Sequence, residues 1–105
     1  MFDAPIAERS GHPTYLTDAF IRAGTRFALL EFGNGAAVEP PAGVAAIRIG
    51  GDDGFVDSAG FAALRYDAEP GTGYLLRPDG YVAARFRHPA RPVLDAALAR
   101  AAGMN

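Results

Sequence analysis

Hydrophobic positions in this chain fall into two dense runs, a short amphipathic stretch, a hairpin-like pair and a final helical stripe. Arg26–Phe32 and Val44–Ile49 are nearly continuous in apolar residues, as strands covered on both faces would be. The 11 residues between them, Gly33–Gly43, can just carry a parallel crossover. Gly33, Gly35, Pro40, Pro41 and Gly43 leave that crossover room for one helical turn at most. Ahead of the first run, Leu16–Ala23 reads as a short helix. Thr17 is its expected cap, Leu16 can pack on Ile21 as a staple, and Gly24 supplies the left-handed stop. After the second run, Gly50-Gly51-Asp52-Asp53-Gly54 is a loop. Asp57 or Ser58 then caps a short helix to about Tyr66. Pro70-Gly71 breaks the chain before a strand hairpin, Tyr74–Arg87. The last helix carries Pro89 and Pro92 in its first turn, with Leu94, Ala97, Leu98 and Ala101 on one stripe and Gly103 closing it.

Residues 1–15 hold Pro5, Gly11 and Pro13 with no sustained periodicity, so they read as an N-terminal arm before a single domain at 16–105. The order of elements within that domain is the βαβ–α–ββα skeleton of the thioredoxin-like α/β fold. That fold predicts a central mixed sheet of about four strands with flanking helices, here without a Cys-x-x-Cys motif. Pro70 lies near the place of that fold's cis-proline; cis is possible there and trans is the commoner state.

The hairpin sequence Arg77-Pro78-Asp79-Gly80 allows two registers. A two-residue turn pairs Pro78 with Tyr81, whereas a type I turn with Gly80 in a left-handed bulge pairs Arg77 with Tyr81. The bulged register segregates Tyr74, Leu76, Val82, Ala84 and Phe86 from Leu75, Arg77, Tyr81, Ala83, Arg85 and Arg87, and is therefore the one expected. It sets Arg77, Tyr81, Arg85 and Arg87 on one sheet face. Such a face can be simply solvated and protective against edge pairing, or a docking surface, because Arg and Tyr are enriched at interfaces.

Composition narrows the classes of function. The formal charge of −2 gives no global pull toward nucleic acid or an anionic membrane, and single-stranded nucleic acid would want more aromatic platforms. All ten basic residues are Arg, which more plausibly reflects genome composition than phosphate recognition. The chain has no cysteine, so disulfides, thiolate metal sites and thiol nucleophiles are excluded. No apolar run approaches the ~20 residues of a membrane span, and the N-terminus does not read as a signal peptide. A cytoplasmic location is the default expectation.

Candidate chemistry is sparse. His12 and His88 are the only histidines and lack a third ligand at metal spacing. Asp52, Asp53 and Asp57 lack the spacing and closing Glu of a calcium loop. Ser10 and Ser58 have no neighbouring base, and Gly-x-Ser-x-Gly is absent. No Gly-x-Gly-x-x-Gly follows a strand to cradle a pyrophosphate. No catalytic, cofactor-binding or metal residue is assigned.

The run Asp57–Tyr66, then Pro70-Gly71-Thr72, then Tyr74-Leu75-Leu76-Arg77-Pro78-Asp79-Gly80-Tyr81-Val82-Ala83-Ala84-Arg85-Phe86 resembles the C-terminal domain of FAD-dependent aromatic-ring hydroxylases. These are flavin monooxygenases of the phenol and hydroxyphenylpropionate hydroxylase type. Leu16–Phe20 and Phe27–Leu30 are similar to that family's short helix and first strand, so the resemblance covers most of the chain. Gly51-Asp52 is similar to a flavin-contacting pair of such enzymes, but Asp53-Gly54 follow where Ala and His are expected, and the pair reads as loop. The Gly- and Pro-rich 33–43 segment also departs from the family pattern. The resemblance implies a thioredoxin-like domain without redox cysteines, not an enzyme on its own, that self-associates as a homodimer or docks onto a flavoprotein. It implies FAD only for a preceding or partner domain. A small-molecule, aromatic-binding protein using the cleft near the 33–43 crossover is the alternative.

Overall fold

The computed structural model describes residues 3–24, 26–33, 39–51, 54–87 and 90–102. Along the chain the elements are β1 (Pro5–Ala7), β2 (Pro13–Tyr15), α1 (Leu16–Arg22), β3 (Ala28–Phe32), β4 (Ala45–Ile49) and β5 (Val56–Asp57). A 3-10 turn (Ser58–Gly60), α2 (Phe61–Tyr66), β6 (Gly73–Leu76), β7 (Val82–Phe86) and α3 (Arg91–Ala101) follow.

The first apolar run, β3, lies inside the main sheet. The second, β4, ends the sheet among the described strands and alternates rather than being covered on both faces, with Ile47 and Ile49 buried and Ala46 exposed. β3 pairs in parallel with β4 and antiparallel with β6, and β6 pairs antiparallel with β7, so the sheet order is β4-β3-β6-β7. This is the mixed four-stranded sheet that the order of elements predicts. Every residue of β3 is buried, which explains its lack of alternation. Ala28, Leu30 and Phe32 face a cluster with Ile6, Leu16, Phe20, Ala62 and Tyr66. Leu29 faces the other way, against Leu75, Leu94 and Ala97, so α3 covers the opposite side through its predicted stripe. On that side Glu31 of β3 pairs across the strands with Arg48 of β4. Their Oε1 and Nε stand 3.4 Å apart, with Glu31 buried.

The segment before Leu16 is folded onto the body. β1 pairs with β2 and with β5 in a second, three-stranded sheet, and Ile6 is fully buried. Strands of three residues are too short for a period of two to register. The start of α1 also differs from expectation. Thr17 lies inside the helix, and its backbone N–H donates to Asp3 Oδ1 at 2.9 Å, so the cap comes from 14 residues upstream. The Leu16–Ile21 staple does not form: Leu16 is buried, whereas Ile21 is 66% exposed. Gly24 does take the left-handed stop, at φ 93°. Asp57 caps α2, its carboxylate accepting from Ala62 N–H at 2.7 Å and Ala63 N–H at 2.9 Å.

The hairpin turn follows the bulged register. Arg77 N–H donates to the Tyr81 carbonyl and Gly80 N–H to the Arg77 carbonyl, both at 2.8 Å, with Gly80 at φ 91°. Beyond the turn the expected face assignment fails. Leu76 is paired with Val82 but Leu75 with Ala84, so Ala83 is a second inserted residue. One inserted residue inverts the faces of the rest of the strand. Ala84 and Phe86 therefore pack with Leu29, Leu75 and Leu94 beneath α3, and Arg85 lies opposite Tyr74. No cis peptide bond occurs among the described residues, Pro70 included. The readings placed on Gly35, Asp52, Asp53, His88, Pro89 and Gly103 lie outside the described residues.

Candidate functional site

The second bulge separates the four residues expected on one face into two stations. At the hairpin tip, Arg77 is held by Asp79, with Nη2 to Oδ2 at 2.7 Å, and its guanidinium lies 5.7 Å from the centroid of the Tyr81 ring. Asp79 Oδ1 also accepts from Tyr81 N–H at 3.1 Å, so one carboxylate ties both ends of the turn. The ring of Tyr81 remains 67% exposed. Behind the tip, Arg77 and Arg100 flank a groove of about 430 Å³ between β7 and α3, floored by Val82, Ala83, Ala84 and Ala97.

At the other end of β7, Arg85 lies over the Tyr74 ring at 5.6 Å and donates to the Asp67 carbonyl at 2.7 Å. Arg85 and Arg87 share a polar cleft of about 300 Å³ with Asp67, Glu69 and Thr72. The exposed Arg pairs are thus interleaved with carboxylates, which suits specific pairing with a mixed-charge surface better than a uniform anion. Asp67 and Tyr74 were not singled out by sequence reading. The left-handed backbone of Asp67, at φ 50° just past α2, belongs to a helix stop, and only the fold aims its carbonyl at Arg85.

A third recess of about 230 Å³ opens at the carboxyl ends of the parallel strands, floored by Phe32 and Ile49 and walled by Gly33, Gly50, Gly51 and Pro70. The aromatic floor is fixed from below. Phe32 meets Tyr66 and Tyr74 with ring centroids 5.8 and 6.5 Å away, and the Tyr74 hydroxyl donates to the Tyr66 carbonyl. His12 is exposed, and no group of three metal-ligating side chains stands together among the described residues. Among those residues no helix is long and apolar enough to cross a membrane.

The sequence matches no family model and no curated protein. Solved structures do match it. The chain is 25% identical to the flavin-dependent monooxygenase PieE, solved with FAD and substrate; the TM-score is 0.70, over 98% of this chain and 19% of that one. It is 25% identical to aklavinone-11 hydroxylase, solved with FAD and aklavinone, at a TM-score of 0.70 over 93% of this chain and 19% of the other. It is 28% identical to the Diels-Alderase PyrE3 of pyrroindomycin biosynthesis, at a TM-score of 0.56 over 92% and 17%. The chain therefore spans 19% or less of the length of these three proteins.

The residues described here do not fit FAD. A dinucleotide's pyrophosphate needs free amides at a helix N-terminus behind a Gly-rich turn. Gly50 and Gly51 follow β4, but α2 has only six residues, and its Ala62 and Ala63 amides are already given to the Asp57 carboxylate. A fixed negative charge at that point opposes a phosphate. The adjoining recess of about 230 Å³ is also smaller than the ~300–1,000 Å³ of sites for drug-sized ligands, which FAD exceeds. Over nearly its whole length the chain is similar to one part, about a fifth, of FAD-dependent monooxygenases, in keeping with the resemblance of its 77–86 hairpin to the C-terminal domain of such hydroxylases.

Proposed function

We propose that this chain is a cytoplasmic, non-catalytic thioredoxin-like module of a FAD-dependent aromatic-ring monooxygenase, serving self-association or docking onto the flavin-binding body. One observation carries the reading: nearly all of this chain matches only 19% of flavin-dependent monooxygenases that were solved with FAD. On this reading FAD and the hydroxylation chemistry belong to a preceding or partner domain. The docking residues are Arg77, Tyr81, Arg85 and Arg87. Their support is exposure together with geometry: Arg85 and Arg77 are held by ring stacking and carboxylate or carbonyl contacts, so little side-chain freedom is lost when a partner arrives.

Light scattering coupled to size-exclusion chromatography tests the reading. A dimer, or a stable complex with a flavin-binding monooxygenase body supplied in trans, is expected. The Arg85→Glu/Arg87→Glu and Tyr81→Ala variants are expected to weaken it. A chain that stays monomeric at all concentrations and forms no such complex overturns the reading.

A further inference from the structure

We infer that the groove between β7 and α3 receives an extended acidic segment of a partner protein, which pairs with the outer edge of β7 as a further strand of the main sheet. The inference rests on the docking reading for the role of Arg77, and adds a backbone edge and the chemistry of the segment it holds.

The edge comes first. β7 ends the sheet β4-β3-β6-β7, so one side of its backbone meets no strand among those described. A strand edge of this kind is a template for another extended chain, and main-chain hydrogen bonds supply the affinity when one is added. Val82 is 45% exposed and Ala83 is exposed, so no bulky side chain shields the approach. The shift in register between Leu75 and Leu76 leaves Ala83 with no opposite residue on β6. Such an insertion disrupts the ladder locally and bends the strand. The bend confines flat pairing to a few residues, which suits one short segment rather than an open-ended stack.

The groove beside that edge decides the character of the segment. Side chains of an added strand alternate between faces, so every second one lies over the groove toward α3. The floor of Val82, Ala83, Ala84 and Ala97 has no polar side chain, and Arg77 and Arg100 are the only charged residues lining it. Asp79 is paired to Arg77, and the carboxyl end of α3 carries only about half a negative charge. The Arg100 guanidinium is exposed and makes no ion pair or hydrogen bond among the described residues, so it leaves the groove net positive. On the opposite face Arg85 and Arg87 share their cleft with Asp67 and Glu69, so the α3 side sets the preference. A second copy is the less suitable occupant. Val82–Phe86 carries Arg85 and no acid, and two copies laid edge to edge would bring like charges together. An acidic segment reverses the sign of that interaction.

NMR titration of the chain, followed through its backbone amides, tests this with capped peptides. One alternates Glu and Val, one alternates Lys and Val, and one is the Glu–Val sequence with its central residue replaced by Pro. The Glu–Val peptide is expected to shift the Val82, Ala83 and Ala84 amides together and saturably, and the Lys–Val peptide to bind about tenfold more weakly. Proline cannot donate to a ladder, so the third peptide is expected to lose about tenfold as well. Arg100→Glu, read once its amide spectrum shows it folded, is expected to weaken the Glu–Val peptide about tenfold. Shifts that are absent, or that map away from 82–84 on the wild-type chain, overturn the site and need no variant. Equal binding of the Pro-containing peptide overturns strand addition. Equal binding of the Lys–Val peptide, or an Arg100→Glu chain that binds as wild type does, overturns the acidic assignment. Amides 82–84 that shift with protein concentration alone give the edge to a second copy and overturn the proposal. The titration reads single residues, whereas light scattering reads mass, so failure here and failure of the docking reading are told apart.

Discussion

Arg85 on β7 lies over the ring of Tyr74 on β6, 5.6 Å from its centroid, although the simple alternation of the hairpin would put them on opposite faces. The inserted Ala83 brings them together, and the same guanidinium donates to the carbonyl of Asp67. Replacing Arg85 with Ala is expected to lower stability by about 1 kcal/mol, because the site is half exposed and only one ring and one carbonyl are lost. Arg85→Lys is expected to recover less than half of that, since the ammonium cannot stack and reach the carbonyl with the same plane. Urea denaturation of the two variants measures both values. An Arg85→Ala midpoint equal to wild type would remove the pair from the account of the hairpin.

Gly54 and Gly11 separate two reasons for glycine. A Cβ on Gly54 would fall 2.2 Å from the Gly50 carbonyl oxygen, whereas one on Gly11 meets nothing within 4 Å and only the φ of 97° resists it. Gly54→Ala is expected to cost about 3 kcal/mol through overpacking, and Gly11→Ala about 1 kcal/mol through backbone conformation alone. Thermal melts of the two variants test the order, and equal losses would contradict it.

Asp3 links stability to pH. Burial pushes its carboxyl up, but the hydrogen bonds from Thr17 and Ala4 and the charge of Arg65 together outweigh this and hold it below its ordinary value of 3.8. A lowered carboxylate contributes stability that is fully present above the unfolded-state value and is lost as pH falls through the folded-state value. Asp3→Ala also removes the cap on α1, at a cost of about 1 kcal/mol at neutral pH. The melting temperatures of wild type and Asp3→Ala are therefore expected to differ at pH 7 and to converge in acid. A difference that persists at the lowest pH would show that Asp3 acts by packing rather than by charge.

The Glu31–Arg48 pair sits beneath the sheet's α3 face, with side chains 8% and 18% exposed. Arg48→Met is expected to cost about 3 kcal/mol, since it removes the cation facing a buried carboxylate, and the Glu31→Leu/Arg48→Met double variant is expected to return most of that loss. The double-mutant cycle, read by urea denaturation, gives the coupling directly. A double variant as unstable as the sum of its singles would show that the two side chains act independently.

Features with local causes were legible in the chain itself. Continuous burial of Ala28–Phe32, the turn that needs Pro78 and a left-handed Gly80, the Leu94 and Ala97 stripe and the Asp57 cap each depend on residues a few positions apart. The exposure of Arg77 and Tyr81, next to that turn, was legible for the same reason. Tertiary structure decided what depends on distant partners. β1 exists because β2 and β5 flank it, and Asp3 caps α1 across 14 residues. The bulge at Ala83 turns Phe86 under α3 and so divides the Arg row. The recess of Gly33, Gly50 and Gly51 arises only where two parallel strands end side by side. A turn or a helical stripe is settled by its own torsions and spacing. A short strand, a bulge or a cleft is settled by burial against whatever the rest of the chain brings to it.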